Sequence, residues 1–246
     1  MKRLAQKLIR HLGYDIVRYN FAPDITVQQQ RTFAKARPYT LTSFERMASL
    51  SSAIDHISAK SIPGDIVECG VWRGGSMMVA ALTLLDLGDK SRHLHLYDTY
   101  EGMSKPTGID KSHDGISAQS QLDDDPTMTD VGCLAALDDV RKNLQSTGYP
   151  LERIHFIQGK VEDTIPSHIP QQIALLRLDT DWYESTRHEL EHLYPLLAPG
   201  GILIIDDYGH WEGARKAVDE YFLKHPEPAY LHRIDYTGRL LMKPFA

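Results

Sequence analysis

Four aspartates fall in two short runs: Asp179 and Asp181 in LRLDTD, Asp206 and Asp207 in ILIIDDY. Each run is apolar and ends in acid, as expected of a buried strand whose carboxyl end opens into a loop. Residues two apart on an extended strand point to one side, so Asp179 and Asp181 should share a face. Asp206 and Asp207 fall where the second strand becomes a loop, so both can face the same space. Carboxylates gathered in this way, with no Lys or Arg expected among them, repel one another unless a cation neutralises them or some stay protonated. An all-oxygen set suits a hard ion such as Mg²⁺, which keeps exchangeable waters for a substrate. The alternative is that these residues cap helices and turns separately.

A second group surrounds ECGVWRGGS, which joins a strand to an apolar helix. Gly70, Gly74 and Gly75 permit positive φ and close approach of a ligand, and the helix start adds exposed N–H groups. Their spacing is not the G-x-G-x-x-G of pyrophosphate sites. Glu68 beside the loop would repel a pyrophosphate but suits a cationic amino group, such as that of S-adenosylmethionine. Asp98 ends HLHLYD, where a carboxylate accepts hydrogen bonds from ribose hydroxyls, a property that nicotinamide sites share. His210 follows the acid pair and reads as a base, a substrate contact or a surface histidine. His93 and His95 point away from the acids and read as structural.

The elements that must hold these groups alternate. Strands are read at IPGDIVECG, HLHLY, IHFIQ, QIALLRL and ILII, with helices between them, and LHRIDYTGRLLMKP closes the chain as a hairpin turning at Tyr236–Gly238. Helix TRHELEHLYPLLAPGG is read as running up to ILII. Thr42 or Ser43 caps a helix bearing Met47, Leu50, Ile54 and Ile57 on one face. The pattern predicts an α/β fold, a doubly wound and mostly parallel sheet with an antiparallel C-terminal hairpin at its edge. All the acids then lie along the carboxyl edge, where such sheets bind ligands. Residues 1–37 are expected to be a helical appendage and residues 38–246 the main domain. Residues 103–132, polar and rich in Asp, are expected to be a long loop acting as a lid.

The chain has 246 residues and a formal net charge of -6, with no long basic run. That argues against nucleic acid as a partner. Cys69 and Cys133 form no metal-ligand pair, and a reducing cytoplasm is expected. No apolar stretch is long enough to span a bilayer. Leu4, Leu8 and Leu12 give the N-terminus a mildly amphipathic face, which reads as a packed helix or as a weak contact with an anionic membrane surface.

Taken together, GDIVECGVWRGGS, LYDTYEGM, LRLDTDWYESTRHELEHLYPLLAPGG and IIDDYGHWEGARKAVDEYF resemble the macrocin O-methyltransferase family from about Pro38 onward. The resemblance implies a class I, Rossmann-like methyltransferase fold, S-adenosylmethionine and Mg²⁺ as cofactors, a sugar hydroxyl as acceptor and a homo-oligomer. It implies that Asp179, Asp206 and Asp207 hold the metal and that Asp181 is the general base, with His210 the rival for that role. It places Thr42, Ser43, Glu68, Gly70, Trp72, Ser76, Asp98, Gly102, Val161 and Glu162 around the cofactor. Acceptor specificity is expected in the lid. Methylation of a catechol or other phenol, a nicotinamide-dependent oxidoreductase and a non-catalytic binding protein are the alternatives.

Overall fold

Strand alternation divides the apolar residues of the sheet between two cores. The computed structural model describes residues 22–125, 131–225 and 230–245. Five strands run parallel: β1 (Asp65–Cys69), β2 (Leu94–Asp98), β3 (Ile154–Gln158), β4 (Ile173–Leu178) and β5 (Leu197–Ile205). A short hairpin of β6 (His232–Arg233) and β7 (Arg239–Met242) adds an antiparallel edge, giving the order β3-β2-β1-β4-β5-β7-β6. The fold is the expected mostly parallel α/β sheet with a C-terminal hairpin, and order reverses between β1 and β4, the switch point that opens a ligand crevice.

On one face Ile66, Leu94, Leu96, Leu175, Ile202 and Ile204 pack beneath four helices: α1 (Val27–Ala36), α2 (Phe44–Ala59), α3 (Gly75–Asp86) and, further along the chain, α5 (Leu137–Gln145). On the other, Val67, Leu176, Leu178, Leu203 and Ile205 pack beneath α7 (Tyr183–Leu193) and α8 (Glu212–Lys224), and Val161 of the short α6 (Val161–Thr164) joins them. A Leu or Ile buried in this way contributes about 1.5–3 kcal/mol. Among the described residues no helix is long and apolar enough to cross a membrane.

Three readings change in detail. The described part of the expected appendage is helical, and it is capped by a Thr26–Gln29 capping box. Its Phe33 and Ala36, however, are fully buried in the main core. The Leu4–Leu8–Leu12 face lies outside the described residues. Helix α7 stops at Leu193, because Pro195 follows and cannot donate to the helix ladder, and β5 begins at Leu197 rather than at Ile202. The segment expected to be a long loop has structure of its own: α4 (Ala118–Asp124) lies within it, and bridges tie Lys111 to Ser117 and Ser112 to Trp211.

The 103–132 segment is anchored by a residue the sequence did not single out. Asp110 is fully buried. Its Oδ1 accepts the N–H of Tyr183, the first residue of α7, at 2.8 Å, and its Oδ2 accepts the Thr107 N–H and hydroxyl at 2.7 and 2.8 Å. A carboxylate at a helix start satisfies an otherwise orphaned donor and complements the helix dipole.

Candidate active site

The carboxyl ends of β4 and β5 bring three acids together. Asp179, Asp206 and Asp207 each offer an oxygen, and these atoms lie within 4.8 Å of one another. This is the trio expected to hold a metal, and an all-oxygen set of that span matches the donor chemistry of a hard divalent ion. Asp181 joins them by a route that strand alternation does not describe. β4 ends at Leu178, and Asp181 adopts φ +66°, a left-handed turn that is costly for a non-glycine residue. The Asp207 and Trp211 side chains stand beside its carboxyl and favour its charged form. Burial first, and then the Asp179 charge, push the Asp181 carboxyl above the usual carboxylate range. Burial, Asp181 and Asp179 do the same to Asp207.

The expectation of no Lys or Arg among the acids is overturned, and with it the argument that their repulsion demands a metal; the metal reading rests on the oxygen donors alone. Arg177 lies in β4 with its side chain 2% exposed. Its Nη1 donates to Glu68 Oε1 at 2.5 Å and to Asp179 Oδ2 at 2.6 Å; its Nη2 donates to Asp206 Oδ1 at 2.6 Å and to Thr42 Oγ1 at 3.1 Å. Arg46 of α2 adds a second guanidinium, paired with Asp206 Oδ2 and, at 3.1 Å, with Asp235. A charged residue amid LLRLD was the available signal: a buried strand tolerates an arginine only when carboxylates meet it. Arg46 lies in a half-buried helical turn and gave no such signal.

The cofactor-side residues line two contiguous clefts. The larger, of about 440 Å³, is walled by Thr42, Gly70, Trp72, Ser76, Asp98 and Gly102 together with Asp179, Asp181, Asp206, Asp207, His210 and Trp211. The smaller adjoins it at Gly70, Asp98 and Gly102 and reaches Val161 and Glu162. Two expected residues stand behind the wall. Ser43 is the N-cap of α2, accepting the Arg46 N–H at 3.2 Å while its hydroxyl donates to Asp235 at 2.6 Å. Glu68, 1% exposed, is bonded to Arg177 through Oε1, and its buried Oε2 has no hydrogen-bond partner among the described residues. Burial, with repulsion from Asp179 and Asp98, pushes the Glu68 carboxyl up to about 8 despite the guanidinium beside it. A cationic amino group reaching that orphaned oxygen would relieve both effects.

Asp98 has a job within the chain itself. Its Oδ2 accepts the backbone N–H groups of Val71 and Trp72 at 2.6 and 3.0 Å, and its Oδ1 that of Tyr100 at 2.7 Å. Trp72 and Tyr100 are both left-handed, at φ +46° and +56°. The carboxylate therefore offsets the strain of two loops and fixes the strand-to-helix turn. Gly70 likewise answers to the chain: at φ +81°, a Cβ there would meet the Asp179 carbonyl oxygen at 2.0 Å. Glycine lets β1 and β4 converge beneath the site.

The rim joins three segments. His210 Nδ1 lies 2.6 Å from the Tyr236 hydroxyl, and that hydroxyl lies 2.9 Å from His113 Nδ1 of the 103–132 segment. Burial first, and then His113, lower the His210 pKa. The Tyr236 loop is held to β5, since the Thr237 hydroxyl donates to the Asp206 carbonyl at 2.7 Å. Sequence reasoning reached His210 but missed Tyr236 and His113, because a single hydroxyl far away in the chain carries the connection. His93 and His95 lie at the opposite edge, where His95 meets Asp65 at 3.0 Å.

Comparison with known proteins agrees with this geometry. Residues 7–243 match the macrocin-O-methyltransferase (TylF) family. The chain is 36% identical over 201 residues to the 8-demethyl-8-(2,3-dimethoxy-alpha-L-rhamnosyl)-tetracenomycin-C 4'-O-methyltransferase of Streptomyces olivaceus, covering 81% of this chain and 74% of that protein. It is 31% identical over 203 residues to the mycinamicin III 3''-O-methyltransferase of Micromonospora griseorubida, covering 81% and 76%. Among solved structures, the O-methyltransferase NovP superposes with a TM-score of 0.74 at 26% identity, over 98% of this chain and 97% of that one. The chain belongs to the macrocin-O-methyltransferase family and is an O-methyltransferase.

Proposed function

We propose that the protein transfers a methyl group from S-adenosylmethionine to a sugar hydroxyl of a glycosylated natural product or polysaccharide precursor, with Mg²⁺ held by Asp179, Asp206 and Asp207. The observation that carries this reading is the trio of carboxylate oxygens within 4.8 Å at the carboxyl ends of β4 and β5, in the same cleft as Asp181. Two relatives whose names specify a rhamnosyl tetracenomycin and a mycinamicin support a glycosylated acceptor.

When bound, the ion supplies Lewis-acid polarisation of an acceptor hydroxyl and the cofactor supplies an electrophilic methyl. The rest falls to the chain. Asp181 would accept the proton that the acceptor hydroxyl gives up on transfer. The Trp211 side chain walls the same cleft beside that carboxylate. Glu68 Oε2 suits the ammonium of the cofactor's amino acid, and Val161 and Glu162 wall the far cleft. The anchored lid and Tyr236 bound the acceptor side, where holding the hydroxyl in line supplies much of the rate. The family resemblance also implies a homo-oligomer, which light scattering on the purified chain would test.

The deciding experiment pairs calorimetry with transfer assays. S-adenosylmethionine should bind with micromolar-range affinity, and labelled methyl should pass to a deoxysugar-bearing acceptor, stop on chelation and resume with Mg²⁺. Undetectable cofactor binding ends the proposal. Full transfer in excess chelator removes the metal from it, and preference for simple catechols moves the acceptor class to phenols.

A further inference from the structure

Arg177 touches both halves of the site. Glu68 is its direct neighbour across the β1–β4 ladder, and Leu178, the next residue, leads into Asp179. The guanidinium takes Oδ2 of Asp179 and Oδ1 of Asp206, two of the three acids of the trio. It also takes Oε1 of Glu68, leaving Oε2 buried and without a partner among the described residues. Thr42, from the segment that walls the cofactor cleft, meets it from above. A planar guanidinium with five fixed donors holds several acceptors in set directions, whereas an ammonium acts as a point charge.

We propose that Arg177 is a positioning residue that transmits changes at Glu68, on the cofactor side, to Asp179 and Asp206, on the metal side. This inference rests on the metal reading given above. Glu68 offers no oxygen to the trio, so it reaches the metal acids through the guanidinium. Loss of the Glu68 anchor leaves the guanidinium to Asp179 and Asp206, so it gives up their oxygens less readily to an incoming cation. Because coupling between sites is reciprocal, metal and cofactor should each change the other's affinity by the same factor.

The test is a double-mutant cycle read by calorimetric titration of Mg²⁺ alone and of S-adenosylhomocysteine with and without Mg²⁺. The full chain is used, with thermal unfolding run on each variant. Glu68→Gln keeps the shape and should weaken Mg²⁺ binding roughly 5-fold or more, within the usual span of intersite coupling. Arg177→Lys keeps a charge but loses the fork and should weaken both ligands. In the Arg177→Lys background, Glu68→Gln should have little further effect on Mg²⁺, since the route is already cut. Direct attraction between the Glu68 charge and the cation predicts the opposite: the Glu68→Gln effect would persist unchanged in that background, and the inference would fall. Unchanged Mg²⁺ affinity in the Glu68→Gln single variant also overturns it, even where Arg177→Lys does not fold. A wild-type chain that binds no Mg²⁺ removes the metal reading itself, a distinguishable failure.

Discussion

Replacing Gly70 by alanine places a methyl carbon 2.0 Å from the Asp179 carbonyl oxygen and 2.5 Å from its carbonyl carbon. Neither is the end of a flexible side chain, so β1 and β4 must move apart. Two costs add. An alanine at φ +81° sits in the left-handed region, at about 1–2 kcal/mol. Overpacking against rigid backbone adds about 1–3 kcal/mol. The total of roughly 2–5 kcal/mol is large against the 5–15 kcal/mol that typically holds a domain together. At about 2–4 °C per kcal/mol for a chain of this size, the unfolding midpoint should fall by roughly 4–20 °C. Gly88→Ala is the internal control: its φ is +74° and nothing lies within 4 Å of a Cβ there, so only the backbone cost applies. The difference between the two variants in urea or thermal unfolding isolates the clash. The Asp179 N–H donates to the Cys69 carbonyl at 2.8 Å, so the displaced strand end carries the acid with it. Mg²⁺ affinity should therefore drop in Gly70→Ala and stay at the wild-type value in Gly88→Ala. Equal stability losses in the two variants would refute the packing argument, and unchanged Mg²⁺ affinity in Gly70→Ala would refute its link to the site.

Asp181→Asn should slow single-turnover methyl transfer by roughly 10²–10⁴, the scale of general-base catalysis, with little change in Mg²⁺ affinity; a near-wild-type rate alongside a crippled His210→Ala would give the role to His210. Asp235 is partly buried, which opposes ionisation, but the Ser43 hydroxyl, loop N–H groups and Arg46 outweigh burial and hold its carboxyl below the ordinary value. Its stabilising contribution is thus complete above the unfolded pKa of about 3.9 and is lost as pH falls through the lower folded value. Asp235→Asn should flatten the acid limb of a stability–pH curve there, and an unchanged limb would contradict this assignment. Tyr236→Phe keeps the ring but removes the hydroxyl shared by His210 and His113. At about 0.5–1.5 kcal/mol per hydrogen bond, acceptor KM should rise roughly 3–10-fold while S-adenosylhomocysteine affinity holds. A loss confined to cofactor affinity would place Tyr236 elsewhere in the reaction.

The carboxyl-edge acids were legible because an apolar run ending in Asp is a strong local signal, and four such ends converge on one sheet edge. Their mutual arrangement was not. The left-handed Asp181 breaks strand alternation, and although aspartate visits that conformation more readily than most residues, nothing in LDTDW marks this one for it. Its neighbours Asp207 and Trp211 are twenty-six and thirty positions away in the chain, which no local pattern reports. Arg177 was visible as an oddity in an apolar strand, but its four partners come from β1, β4, β5 and the start of α2, so only the assembled sheet reveals the network. Asp98 was read toward a ligand, whereas its oxygens already serve three backbone donors, because the two left-handed loops that need them were not apparent from residue types.

Asp110 has a consequence for the rim of the site. It clamps the chain to the start of α7, while its own carbonyl accepts the Ala118 N–H at 2.9 Å and so closes a short loop over residues 110–118. Gly213 of α8 leaves room for the same carboxylate, since a Cβ there would lie 2.1 Å from Oδ1. The stretch 107–118 is therefore a plate seated on the two helices that follow the acidic strands. Helix α4 is tied back to it, the Gln121 side-chain amide donating to the Ser112 hydroxyl at 3.0 Å. A shift of either helix thus carries the plate with it, and with the plate the contact that His113 makes to Tyr236 on the rim.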